Sequence, residues 1–324
     1  MAPTLQATTE EESLRLRTLI AGRVISMEGR KLEEGDWTDA YCDARGIPKA
    51  GWSNLDIDVT YENVGLEQKM LRFDRGDSIA TACGKWLMHP SLTRSIRVDQ
   101  SMEANEAMVS VLGQYSALLD ARRAKVESRY QGDKQIELRT GWLLWRSDLT
   151  EYLYFEESAN APDTSVLTAE WVKNEQTGQR KPSTNLWIYD RETGQKRYSV
   201  TTVAGAKIQP YFQVPTIDDP NLVHIDLRHD DAGNPVAWVK KKTAERLERL
   251  LGSGWTVTDL ENAIALARAS NGDAHEGVDL EHARQITLSA PSRDLLDLVA
   301  GPTDDVRMDQ VLDQLEEERS ASNS

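Results

Sequence analysis

The stretch Leu55-Asp-Ile-Asp-Val-Thr-Tyr-Glu-Asn-Val-Gly-Leu-Glu-Gln-Lys-Met-Leu71 decides how this chain is read. Apolar residues at Leu55, Ile57 and Val59, and again at Leu66 and Met70, alternate with polar ones, which predicts two short strands joined by a tight turn. Side chains at i and i+2 share one face of a strand. Asp56 and Asp58 therefore share a face of the first strand, and Glu67 and Lys69 share a face of the second. If the two strands are neighbours, carboxylates and one ammonium converge at a sheet edge. Oxygen ligands of this kind hold a hard divalent cation, and a lysine beside it suits metal-assisted hydrolysis of a phosphodiester. The same residues also describe an ordinary exposed hairpin with paired acids and a lysine on its wet face.

Glu67-Gln-Lys69 is the one place in the chain where an acid lies two residues before a lysine. With Asp58 eight residues upstream of Glu67, the arrangement resembles the PD-(D/E)XK nuclease superfamily, which includes many restriction endonucleases. Ile57 stands where that pattern usually has proline. The resemblance implies an α/β fold with a mixed central sheet flanked by helices. It further implies an Mg²⁺-dependent endonuclease acting on double-stranded DNA as a homodimer. In that reading Asp58 and Glu67 hold the metal, Asp56 is a second candidate ligand, and Lys69 stabilises developing charge or orients the attacking water. Two rival readings stand beside it: a non-enzymatic phage or assembly scaffold, and a DNA-binding protein without catalysis.

Composition sets the bounds. The chain has 324 residues with 39% hydrophobic and 28% charged, as an ordinary globular protein does. No apolar run is long enough to span a bilayer, and the first residues lack a signal-peptide pattern. Two cysteines, Cys42 and Cys83, make no disulfide framework, so a cytoplasmic setting with reduced thiols is expected. The five histidines show no ligand spacing. A net charge of −15 argues against indiscriminate coating of nucleic acid, since that needs Lys and Arg. The charge is uneven, however. Residues 180–250 carry twelve Lys/Arg against nine Asp/Glu, whereas residues 291–324 carry three against nine. Phosphate-loop, dinucleotide-binding and nucleophile-elbow motifs are all missing.

Periodicity predicts a helix over about 10–28, an irregular approach over 31–54, and a long helix over about 102–129. Glu11 or Glu12 in the first helix could add a further metal-site acid, though dipole decoration accounts for both. Strands follow at about 135–145 and 151–156, with Glu137 a remote candidate for the site. The sharpest hairpin signal is Asn185 to Thr202, where Asp190 opens the turn and Gly194 supplies its positive φ. Arg191, Lys196 and Arg197 cluster near its tip and could enter a DNA groove. The bland alternative packs Trp187 and Tyr189 on the core. Arg94 and Arg97, in a segment of hydroxyls without acids, suit phosphate contacts. Further strands are expected at 204–214, 223–227 and 236–239, and helices at 242–251, 259–270, 280–288 and 308–318. The expected division is a nuclease-like core over 1–160, a β-rich part over 161–255 that is a candidate for DNA contact, and a helical region with an acidic tail over 256–324.

Overall fold

The computed structural model describes residues 3–27, 32–48, 57–174, 183–202, 206–252, 256, 258–261, 264 and 283–322. Leu55 and Asp56 lie outside the described residues, as does most of the helix expected at 259–270. The chain is mixed α/β and falls into two compact units. Unit 1 comprises residues 1–7, 48–144 and 153–223; unit 2 comprises 8–47, 145–152 and 224–324. The expected linear division at 160 and 255 is therefore not the one the contacts make. Each unit gathers pieces from several parts of the chain.

The decisive hairpin is present. β2 (Val59–Tyr61) pairs antiparallel with β3 (Val64–Arg72), Val59 facing Leu66 and Tyr61 facing Val64. They sit at one end of a sheet ordered β1-β7-β6-β3-β2, in which β1 is Thr4–Leu5, β6 is Glu137–Trp145 and β7 is Glu151–Ser158. Between β3 and β6 runs α3 (Ala104–Glu127). The Glu137 N–H donates to the Asn63 carbonyl at 2.9 Å, and further along Gly141 lies against Gln68. β3 and β6 thus advance in the same direction, with α3 as the crossover that a parallel pair requires. The helix comes very close to β3. A Cβ at Gly65 would stand 2.7 Å from a Val126 methyl and 3.0 Å from Leu138, so only glycine fits there.

A second sheet in unit 1 is ordered β4-β11-β10-β9-β8, with β5 also on β11. Its strands are β4 (Trp86–Met88), β5 (Thr93–Ile96), β8 (Leu167–Asn174), β9 (Ser183–Asp190), β10 (Lys196–Thr201) and β11 (Ala206–Gln213). Beyond the expected boundary at 160, where no strand is expected before the hairpin at 185, the chain forms β8, paired with β9 over its full length. The buried stripe of α3, with Val111, Leu112, Tyr115 and Leu119, packs on Leu186, Ile188, Val200 and Ile208 from this sheet. Trp142, Leu144, Leu153 and Phe155 of the first sheet meet Phe212 and Val214 of the second. At about 25 cal/mol per Å² of apolar surface, these two clusters supply the main drive to assemble unit 1.

Unit 2 is mostly helical. α1 (Glu10–Ser26) begins at a capping box in which Thr9 and Glu12 satisfy each other's backbone N–H groups. α2 (Glu34–Arg45) occupies the stretch expected to be irregular. Trp37, Ala40, Tyr41 and Ala44 recur at helical spacing and are all fully buried. β12 (Val223–Asp226) and β13 (Val236–Val239) fall at the strands expected over 223–227 and 236–239, and the helix over 280–288 is corrected, since β14 (Arg284–Thr287) pairs with β13. α4 (Lys241–Leu251), α5 (Ala290–Asp297) and α6 (Asp304–Ser322) complete the unit around Leu247, Leu296, Met308, Val311 and Leu312. No helix among the described residues is long and apolar enough to cross a membrane.

Candidate functional site

Glu67 and Lys69 lie on the face of β3 that meets α3, as the alternation required. They form an ion pair with each other, and Arg122 of α3 closes on the second Glu67 oxygen at 3.0 Å. The three side chains are only 14%, 13% and 11% exposed, so the triad is nearly removed from water. Arg122 is the partner that sequence reading missed. Its position near the end of a helix is already favourable on dipole grounds, which hid its contact with a residue 55 positions away.

Asp58 takes a different direction. Continuing the β2–β3 register would set it opposite Glu67, yet its carboxylate accepts the Gln68 N–H at 2.6 Å and the residue is exposed. Glu67 faces two cations with its two oxygens, and Asp58 is engaged by a backbone donor. Among the described residues, no group of three or more His, Cys, Asp and Glu could hold a metal ion. The donor set as arranged does not fit Mg²⁺. Glu137 points to the other face of the sheet, where Arg139 bridges it to the fully buried Glu156. Glu11 pairs with Arg15, and Glu12 serves the cap and Arg45, all within unit 2.

Around the triad is a closely packed polar set in unit 1. His89 sits with its ring nitrogens 2.9 and 3.1 Å from the Ser91 and Met70 carbonyls, edge-on to Trp142. Burial, aided by nearby Lys69, pushes its pKa below the ordinary value and favours the neutral ring. Glu157 accepts the Trp142 indole N–H at 2.8 Å, and burial raises its pKa. Burial likewise raises Tyr115 and Tyr198. His89 and Glu157 are thus engaged by these partners within unit 1.

The exposed chemistry of unit 1 is on the far side of the second sheet. Leu186 and Ile188 of β9 point into the core, so Trp187 and Tyr189 project outward. This reverses the core packing weighed for those two aromatics. Tyr211 of β11 projects the same way, between the buried Pro210 and Phe212. Lys196 lies over Trp187, its ammonium 3.0 Å from the ring centroid and 5.3 Å from that of Tyr211. Arg197 covers Trp86 at 5.4 Å. Arg191 instead folds back and donates to the Leu167 carbonyl at 2.8 Å. Arg97 is exposed beside Gln114; the side chain of Arg94, on β5, lies outside the described residues. The aromatic members were legible in principle: Trp187 and Tyr189 alternate with Leu186 and Ile188, and the bulge between Lys196 and Tyr198 shifts the two cations relative to that alternation.

Unit 2 has a cavity of about 240 Å³ whose lining includes Leu149, Trp238, Arg293, Asp297, Asp304 and Arg307. Its arginines are committed to its aspartates. Arg293 binds Asp304 at 2.7 and 2.8 Å and also pairs with Asp297, while Arg307 reaches Asp297 at 3.0 Å. Comparison of the whole chain with protein-family models, with curated proteins and with solved structures gives no match.

Proposed function

We propose that unit 1 binds a polynucleotide through the outward face of its second sheet. One observation carries this reading: Trp86, Trp187, Tyr189 and Tyr211 stand on strands of that sheet, with Lys196 and Arg197 laid over two of the rings. Rings offer stacking surfaces to bases, and cations meet phosphates. Net charge does not oppose it. Unit 1 carries 20 Lys/Arg against 22 Asp/Glu, and unit 2 carries 18 against 31. Nearly all the excess negative charge therefore belongs to unit 2, and salt screens exposed charges beyond roughly 8 Å at physiological ionic strength.

The Mg²⁺-dependent endonuclease reading draws its support from the order β2-β3-α3-β6 and from Glu67 and Lys69 sharing a face. Because the donor set does not fit the cation, no hydrolytic step follows from it. The test is fluorescence anisotropy of labelled single-stranded and duplex oligonucleotides at several salt concentrations, with plasmid and Mg²⁺ incubated in parallel. The expected result is binding that weakens as salt rises, with intact plasmid. Failure to bind either form ends the proposal. Nicked or cut plasmid would return attention to Asp58, Glu67 and Lys69.

A further inference from the structure

The form of polynucleotide can be narrowed, on the assumption that the binding reading holds. Groove entry by the β9–β10 hairpin needs cations at its tip. The three expected there lie elsewhere: Arg191 is tied to the Leu167 carbonyl, Lys196 rests on Trp187 and Arg197 rests on Trp86. What the tip presents is Asp190 and Glu192. Asp190 accepts the Thr193 N–H and hydroxyl and the Glu192 N–H, and these bonds hold its carboxyl below the usual range, so it stays anionic. A ribbon ending in two carboxylates is repelled by the phosphates that line a groove.

The rings point to another partner. Trp187 and Tyr189 are held half-buried on a sheet face by core neighbours on alternate positions. Bases in a duplex are stacked on each other and cannot lie on such a ring, whereas those of a single strand can. The position above Trp187 is taken in this structure by the chain's own ammonium, with Tyr211 as the second wall. We infer that this face takes a single-stranded polynucleotide, one base stacking on Trp187 in place of Lys196, whose ammonium moves to the adjoining phosphate. The rings also shelter Lys196 from water, and burial lowers its pKa to about 8 against the opposing charge of Glu170 on β8, which stands across from Trp187 and accepts the Tyr189 hydroxyl at 2.8 Å. A phosphate partner favours the charged form, so affinity falls as pH rises through and above 8.

The experiment titrates the full chain with an oligo-dT strand and with a duplex of equal length, reading tryptophan quenching and anisotropy. The strand is expected to bind at least tenfold more tightly than the duplex. Trp187→Leu should cost the strand about tenfold or more in affinity. Lys196→Met should keep the quenching, lower the salt slope by about one and remove the affinity loss above pH 8. If Trp187→Leu does not fold, as circular dichroism would show, Lys196→Met decides by its slope and pH profile. A duplex bound as tightly as the strand, or a folded Trp187→Leu protein with unchanged affinity, overturns the inference while leaving polynucleotide binding intact. No binding of either form removes both.

Discussion

The same residue type does different work in the two units. In unit 2, Arg293 is 7% exposed and makes paired hydrogen bonds to Asp304, adds Asp297 and donates to the Val236 carbonyl. Arg246 is held similarly by Asp313 and Glu316. In unit 1, Arg197 and Lys196 lie on aromatic rings, with Glu157 and Asp190 acting on Arg197 and Glu170 on Lys196 through charge rather than a direct ion pair. A cation bound to a carboxylate is committed to the fold. One resting on a ring is available to an anion. The difference divides a chain of net charge −15 into one acidic unit and one nearly neutral unit that keeps two of its cations on rings.

The largest effect is expected where the lock is tightest. Arg293→Met leaves Asp297 and Asp304 without their main partner, and breaking one side of a buried pair costs about 3–5 kcal/mol. Urea denaturation should show this, and a loss below about 1 kcal/mol would mean that the network is decoration. Acid gives the same comparison without mutation. Burial alone would raise the Asp297 carboxyl, but hydrogen bonds and charge from Arg293, Arg228 and Arg307 hold it below the ordinary range. Its contribution is therefore full above roughly pH 4, the unfolded value, and is lost as pH falls through the lower folded one. Wild-type stability should decline in that window, and the Arg293→Met protein should show a smaller decline there.

Next comes Glu67→Gln, which tests the ion-pair lock on the α3 side of unit 1. If Glu67 neutralises Lys69 and Arg122, removing its charge leaves two nearly buried cations facing an amide, a loss of about 2–4 kcal/mol. A carboxylate kept for an absent cation would behave in the opposite way, since function-bearing acids often gain stability when replaced. A stabilised Glu67→Gln protein would thus revive the metal site.

These residues also show how far the sequence could be read. The β2–β3 hairpin, α3, β6 and the β9–β10 hairpin announce themselves by period and turn chemistry, because their determinants are local. α2 was missed although Trp37, Ala40, Tyr41 and Ala44 have helical spacing, because acids and Gly35 interrupt the pattern. β14 offers only four residues, too few to separate a strand from a helix turn. Beyond these, the failures are long-range. Arg122 reaches Glu67 across the α3 crossover, Asp58 gives its carboxylate to the backbone of Gln68, and unit 2 collects α1 and α2 from the start of the chain and α4 to α6 from its end. A motif specifies which side chains share a face, but not what else approaches it.

A smaller effect separates the ring-held cation from the carboxylate-held ones. Burial against Trp187 and Tyr211 lowers Lys196 from 10.5 to about 8, so the folded protein gives up its proton first. The unfolded chain then binds more protons between those two values, and stability should rise with pH from 8 to about 10.5. Subtracting the profile of Lys196→Met from that of wild type isolates this increment. A flat difference would mean that the ammonium is fully hydrated and the ring contact is incidental.

The smallest effect concerns the two non-glycine residues with positive φ among the described residues, one in each unit. Glu62 has φ of 45° at the β2–β3 turn, and Leu149 has φ of 60° between β6 and β7. Leu149 is 8% exposed, and its carbonyl accepts the buried Tyr152 hydroxyl at 3.0 Å, so packing enforces its conformation. Glu62 has no such support. Its side chain pairs with Lys134 at 3.0 Å, which is as exposed as Glu62 itself, and such pairs contribute about 0–1 kcal/mol. Glycine at 62 relieves a left-handed strain of roughly 1–2 kcal/mol, offset by about 0.5–1 kcal/mol of added chain entropy in the unfolded state. Glu62→Gly should accordingly leave stability unchanged or raise it by about 0.5 kcal/mol, read as a shift in urea midpoint. A clear loss would show that the exposed ion pair, rather than the turn conformation, pins the hairpin on which the fold of unit 1 is built.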